Sequence, residues 1–260
     1  MRQQLQEIRR YYDSGATQGY AFRKQQLLAL KNALLKYENN IYEALYKDLG
    51  KAPEESYGTE LGLVLAEINF TLKHLRKWML PKPVATDLVN FPSKSKVYRD
   101  ALGVVLIIGP FNYPLQLIFK PLVGAIAGGN CAVLKPSELT PATADLMEKI
   151  VAEIFSPSYI HLVKGDGAEV IPAMMESFRF DHLFYTGSTT IGKILYQQAA
   201  KELIPVTLEL GGKSPCIIEP DADLKVAANR VAMGKFTNTG QTCIAPDYLL
   251  VHEDVREKSH

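Results

Sequence analysis

Cys243 stands out by its surroundings. It lies in Phe236-Thr-Asn-Thr-Gly240-Gln-Thr-Cys243-Ile-Ala-Pro246-Asp247, with a glycine three residues before it and a proline three residues after. Small, polar, turn-forming neighbours suit a thiol that must meet a substrate, because loops carry chemistry while cores carry packing. A free thiol is also a good core residue, so the pattern alone leaves a buried Cys243 open. Cys131 and Cys216 sit in apolar strand patterns, Cys-Ala-Val-Leu and Pro-Cys-Ile-Ile, and read as inert core residues.

Four further stretches carry groups that could act with such a thiol. In Gly109-Pro-Phe-Asn112-Tyr-Pro114 an asparagine is held between two prolines that fix the local backbone. A rigidly placed amide NH2 can stabilise a developing oxyanion, although an Asx-type turn would use the same residue. Lys135-Pro-Ser-Glu138 could grip sugar hydroxyls and a nearby phosphate; it also suits a helix cap with solvated charges. Thr186-Gly187-Ser188-Thr-Thr-Ile-Gly192 brings glycines, hydroxyls and the amides of a helix start together, as an anion site or a simple cap. Glu209-Leu-Gly211-Gly212-Lys-Ser-Pro215 sends a carboxylate out of an apolar strand beside two glycines, a setting for general-base work or for a structural bond to backbone amides.

The elements that must position these groups change character along the chain. Residues 1–80 read as helices: one over 21–49 with apolar residues at helical spacing and Gly50 as its C-cap, another over 54–79 stopped by Pro81 and Pro83. Residues 81–101 read as an extended arm or hairpin. From Gly103 strands alternate with helices. The strand candidates are 104–108, 131–134, 159–163, 182–185, 206–208 and 216–218, with helices over 115–127, 141–155 and 190–203. Short all-apolar strands such as Val104-Val-Leu-Ile-Ile suit a parallel sheet covered on both faces. The expected fold is therefore α/β, a doubly wound parallel-sheet dinucleotide-binding domain with N-terminal helices, and a ligand at the carboxyl ends of the strands. The nearest approach to a G-x-G-x-x-G fingerprint, Gly165-Asp-Gly167-Ala-Glu-Val170, lacks its third glycine and fails.

Composition narrows the class further. At 47% hydrophobic and 22% charged residues the 260-residue chain is that of a soluble globular protein. A formal charge of +1 points to neither a nucleic-acid surface nor an acidic tail. Three scattered cysteines give neither a disulfide framework nor zinc-ligand spacing, which suits a reducing compartment. With no signal-peptide shape at the N-terminus and no apolar run long enough to span a bilayer, the expected location is the cytoplasm.

Taken together and in this order, the five motifs resemble the NAD(P)-dependent aldehyde dehydrogenase superfamily. The Asn-Tyr-Pro form and the Cys243-Ile-Ala-Pro-Asp-Tyr run are similar to its class-3 branch. The resemblance covers essentially the whole chain. It implies that Cys243 is the nucleophile, Glu209 the general base and Asn112 the oxyanion-hole side chain. It further implies that Lys135 and Glu138 contact the adenosine ribose, and that Gly187, Ser188 and Gly192 form the turn and helix start under the pyrophosphate. The cofactor so implied is NAD, with NADP also open, since a Glu138 carboxylate accepts from ribose hydroxyls but repels a 2′-phosphate.

The resemblance also divides the chain, into a dinucleotide-binding domain over 1–209 and an incomplete catalytic domain over 210–260. Family members continue for most of another domain after the cysteine loop, so the chain is expected to be truncated. The expected partner is a small-molecule aldehyde, with no nucleic acid and no membrane segment, and a full-length form that is a homodimer. The expected activity is oxidation of an aldehyde to a carboxylic acid through a thiohemiacetal and a thioester on Cys243. An inactive nucleotide-binding fragment and a CoA-acylating relative are the alternatives; Glu209 in its Leu-Glu-Leu-Gly-Gly context favours hydrolysis over acyl transfer to CoA.

Overall fold

The computed structural model describes residues 1–256. Helices fill the first eighty. α1 (Arg2–Asp13) turns Leu5 and Ile8 inward, and α2 (Tyr20–Lys36) buries Arg23, Leu27, Leu30, Ala33 and Leu34, the spacing of one helical face. The helix expected over 21–49 is two helices. It breaks at Tyr37, whose hydroxyl donates to Glu153 at 2.5 Å, and resumes as α3 (Glu38–Leu49). Gly50 ends α3 in the left-handed conformation, φ +67°, as its C-cap role requires.

The next helix is interrupted in a way the sequence did not announce. α4 (Pro53–Ser56) passes through a π-helical turn, Tyr57–Leu61, into α5 (Gly62–Met79). The wider turn puts both Glu60 and Leu61 inside. The arm that follows is a hairpin: β1 (Lys82–Val84) pairs antiparallel with β2 (Ser95–Val97).

The centre is a five-stranded, all-parallel sheet. In chain order it comprises β3 (Val104–Ile108), α6 (Gln116–Gly128), β4 (Cys131–Lys135), α7 (Pro141–Ile154), β5 (Ile160–Leu162), α8 (Gly167–Ser177), β6 (His182–Gly187), α9 (Thr189–Lys201) and β7 (Val206–Leu210). The spatial order is β5-β4-β3-β6-β7, so the winding reverses between β3 and β6. That reversal opens a crevice at the carboxyl ends of these two strands. All five residues of β3 and all five of β4 are buried, which is why both strands are apolar throughout apart from Lys135. α6 packs on β3 and β4, α9 on β6 and β7, and α2 and α5 lie against α6.

Beyond Leu210 the chain leaves the central sheet. β8 (Ser214–Ile218), α10 (Leu224–Phe236), β9 (Pro246–Val251) and α11 (Glu253–Arg256) follow, with β8 and β9 pairing parallel in a sheet of their own. The main hydrophobic cluster reaches Ile204, with Val206, Leu208 and Leu210 packed at its edge. Cys131 is buried as expected, but Cys216 is only half-buried, because β8 belongs to this thin two-stranded sheet and not to the central one. α8 and α10 were not expected; each starts on an aspartate cap, Asp166 accepting from Ala168 N and Asp223 from Val226 N.

Candidate active site

Each predicted site residue lies at or just beyond the carboxyl end of a central strand, or in the loop that reaches it. The register aligns these ends: Ile108 pairs with Lys135 and with Tyr185, and Glu209 pairs with Thr186. Asn112 follows β3 and Ser188 follows β6, so the two flank the crevice made by the reversal of winding.

Lys135 ends β4 and is 2% exposed. Its ammonium donates to Pro136 O at 2.7 Å and to Glu138 Oε2 at 3.0 Å. Burial works to raise the Glu138 carboxyl, but Lys135 and the amides of Glu138 and Gly167 outweigh it and hold the group below the usual carboxylate range. The helix-cap alternative for this stretch is not what forms. α7 starts later, at Pro141, and the Ser137 hydroxyl accepts from Leu139 N at 3.2 Å.

At the end of β6 the chain runs close to itself. A Cβ at Gly187 would run into the Tyr185 ring, 2.6 Å from its Cζ, so that position calls for glycine; one at Gly192 would lie 2.7 Å from Leu210 Cδ2, the tip of a side chain that can swing aside. Ser188 caps α9, its hydroxyl accepting from Ile191 N at 3.3 Å. The neighbouring Thr186 hydroxyl is buried without a hydrogen-bond partner among the described residues. The rim thus combines an ion-paired Lys135–Glu138, the amides of a thirteen-residue helix start and an unpartnered hydroxyl. These groups fit a dinucleotide, with sugar hydroxyls at the pair and phosphate at the helix start.

Asn112 does not close a local turn. Its Nδ2 crosses to the cysteine loop and donates to Gln241 O at 2.8 Å, while its Oδ1 is buried without a partner among the described residues. Beside it the Tyr113 and Thr242 hydroxyls are hydrogen-bonded at 2.6 Å. Cys243 itself is exposed, which excludes the buried-thiol alternative in this chain. The turn after Glu209 also reaches this loop: a Cβ on Gly212 would lie 3.5 Å from Cys243 O. Glu209 emerges from β7, the edge strand, and stands exposed among the described residues.

Sequence reasoning missed the residues that hold this loop. The carbonyl oxygen of Asn112 accepts from Lys51 Nζ at 2.9 Å and from Asn238 Nδ2 at 2.9 Å, and Asn238 N donates to Glu55 Oε1 at 2.9 Å. A groove of about 670 Å³ between α10 and the β8–β9 sheet is lined by none of the eight predicted residues. No helix of the described residues is long and apolar enough to cross a membrane.

An all-parallel sheet in the order β5-β4-β3-β6-β7, with its winding reversed between β3 and β6, defines the class as a dinucleotide-type α/β fold. The aldehyde dehydrogenase family model matches residues 6–259, and the chain belongs to that family. It is 48% identical over 255 residues to 4,4'-diaponeurosporen-aldehyde dehydrogenase of Staphylococcus aureus, a match covering 98% of this chain and 55% of that protein. It is 43% identical over 254 residues to the dimeric NADP-preferring aldehyde dehydrogenase of Rattus norvegicus, covering 98% and 56%. The solved substrate-bound state of Staphylococcus aureus AldH superposes with a TM-score of 0.95 at 47% identity, covering 99% of this chain and 56% of that one. The chain spans about half the length of the curated relatives it matches.

Proposed function

We propose that this chain carries the nucleophile, oxyanion donor and cofactor rim of an enzyme that oxidises an aldehyde to a carboxylic acid with NAD or NADP. The observation that supports it best is the Asn112 Nδ2 bond to Gln241 O, which sets an amide donor beside the exposed Cys243 loop. In this reading the Cys243 thiolate attacks the aldehyde carbonyl, and the Asn112 amide with the Cys243 N–H stabilises the oxyanion. Bound NAD(P) would supply the hydride acceptor that turns the thiohemiacetal into a thioester. Glu209 then activates a water to hydrolyse that thioester.

Lys135 and Glu138 hold the ribose, and Gly187, Ser188 and Gly192 shape the phosphate turn. Glu138 favours NAD, while its pairing with Lys135 and the NADP preference of the rat relative keep NADP open. The ends of the central sheet and of the main hydrophobic cluster support a dinucleotide-binding domain over 1–209 and the start of a catalytic domain over 210–260. A second reading, dinucleotide binding without turnover by this chain alone, is favoured by the exposure of both Glu209 and Cys243.

The test follows NADH absorbance with an aldehyde and NAD, on this chain and on a version carried to the length of its relatives. In the longer version Glu209→Gln gives a burst of up to one NADH per site and then stalls, the steady rate falling about 10²- to 10⁴-fold. Cys243→Ala gives none. A normal steady rate in Glu209→Gln would remove the general-base role. A burst abolished as fully as in Cys243→Ala, with NAD still bound, would make Glu209 an activator of the thiol.

A further inference from the structure

Among the described residues the Asn112 side chain makes one hydrogen bond, from Nδ2 to Gln241 O, and its Oδ1 is unpartnered, so where the amide points depends on that bond and on the position of its main chain. That main chain is gripped from both sides by one buried ion pair. Lys51 is 2% exposed and Glu60 0%, and Lys51 Nζ meets Glu60 Oε1 at 2.5 Å. The same ammonium donates to Asn112 O and lies 4.3 Å from the Tyr113 ring centroid. The other Glu60 oxygen accepts from Leu115 N at 2.8 Å and from Gln116 N at 3.2 Å, where α6 begins. A buried ion pair is weak evidence for stability, since apolar residues of similar volume often serve as well. What this pair does that apolar residues would not is fix the backbone at 112 and again at 115–116.

We propose that Lys51 and Glu60 are positioning residues, a buried clamp that aims the Asn112 amide at the Cys243 loop, with Asn238 as a second anchor on the same carbonyl. The proposal rests on the reading of Asn112 and Cys243 given above. An amide NH2 has two donors; with one on Gln241 O, the other is free to meet an oxyanion formed at Cys243. Backbone displacement at Asn112 would misdirect that donor without touching the thiol.

Two reactions of Cys243 separate positioning from folding, and neither needs a cofactor. With p-nitrophenyl acetate the thiolate sulfur attacks the carbonyl carbon, the C–O bond breaks and p-nitrophenolate leaves with the electron pair. The acetyl stays on Cys243 as a thioester, and the step passes through an oxyanion. Iodoacetamide alkylates the same thiolate with no oxyanion. In Lys51→Met/Glu60→Gln, which keeps a neutral acceptor for the Leu115 amide, acylation is expected to fall about tenfold or more while alkylation stays within about twofold. Asn238→Gly, which removes one donor to Asn112 O and suits that residue's φ of 53°, should move the ratio the same way by less. Acylation that falls in Asn112→Ala but in neither clamp variant overturns the clamp and leaves the oxyanion reading standing. Acylation indifferent to Asn112→Ala overturns the oxyanion reading, and the clamp with it.

Discussion

The three thiols should differ in reactivity by a margin that the structure sets. Cys131 is fully buried in β4, and burial pushes its thiol up to about 12, with Arg9 pulling it down and Asp13 raising it by smaller amounts. At pH 8 such a group is ionised in only about one molecule in 10⁴, against about a quarter for a reference thiol of pKa about 8.5. The thiolate of a weaker acid is more nucleophilic, by about 40-fold over this interval for a Brønsted slope near 0.45, which returns part of the deficit. Ionisation alone therefore slows Cys131 by about 50-fold, and the need for β4 to open before a reagent can enter slows it further. Cys243, exposed in its loop, needs no such opening to meet a reagent.

Iodoacetamide labelling of the folded chain, quenched at intervals and mapped by peptide, should find Cys243 alkylated first, with Cys131 labelled at less than about one-fiftieth of the rate of a free reference thiol at pH 8. The Cys131 rate should climb about tenfold per pH unit, without levelling off below pH 10. In denaturant the three should converge. Cys131 labelled within tenfold of Cys243 in the folded state would refute the burial argument, and Cys216 labelled first would refute the assignment of Cys243 as the reactive thiol.

Three perturbations probe the supports of the site. Gly187→Ala puts a Cβ against the buried Tyr185 ring, 2.6 Å from its Cζ, and should cost about 1–3 kcal/mol in denaturant unfolding; a change below about 0.5 kcal/mol would show that the ring yields freely. Lys51→Met leaves Glu60 buried without its cation, and should cost about 3–5 kcal/mol and about 6–20 °C in Tm at pH 7. Burial already raises the Glu60 carboxyl, against Lys51 and the two amides, and loss of Lys51 raises it further; protonation relieves the folded state, so the deficit should shrink as pH falls towards 4.5 and widen as pH rises. A deficit independent of pH would place its origin elsewhere. Glu138→Gln, by removing the charge that repels a 2′-phosphate, should shift the NADP-to-NAD affinity ratio about two- to fivefold towards NADP in fluorescence titrations, and an unchanged ratio would remove Glu138 from cofactor choice.

The strand ends were legible because apolar runs and the turn residues after them sit on adjacent positions: Ile108 to Gly109, Lys135 to Pro136, Tyr185 to Gly187. What could not be read was the tertiary work of charged residues on helices. Lys51 and Glu60 look like ordinary solvated charges until the π-helical turn rotates Glu60 inward. The signal in the sequence is Glu60 next to Leu61 and four residues before Val64, in phase with a buried stripe. α8 was hidden by Pro172 inside it, and α10 by the absence of a clear apolar face, with no residue of α10 buried. The break at Tyr37 is likewise tertiary, set by a contact to Glu153 across 116 residues of chain.

An exposed nucleophile faces two requirements that oppose each other. Cys243 must be open to substrate, yet its loop must hold one conformation well enough to keep an amide and a thiol in register. The loop meets the second requirement through backbone that is unfavourable by itself: Asn238 and Thr239 both adopt left-handed conformations, at φ 53° and 54°. Asparagine tolerates this region, but a β-branched threonine there is strained by about 1–3 kcal/mol. Such a turn persists only where its surroundings over-determine it, and here they do. Asn238 is fixed at its amide by Glu55 and at its side chain by the Asn112 carbonyl, while Thr242 bonds Tyr113. Every one of these anchors lies outside the loop, on α4 or on the segment after β3. Order at Cys243 is thus imposed from elements more than a hundred residues away, which leaves the loop's own face free for chemistry.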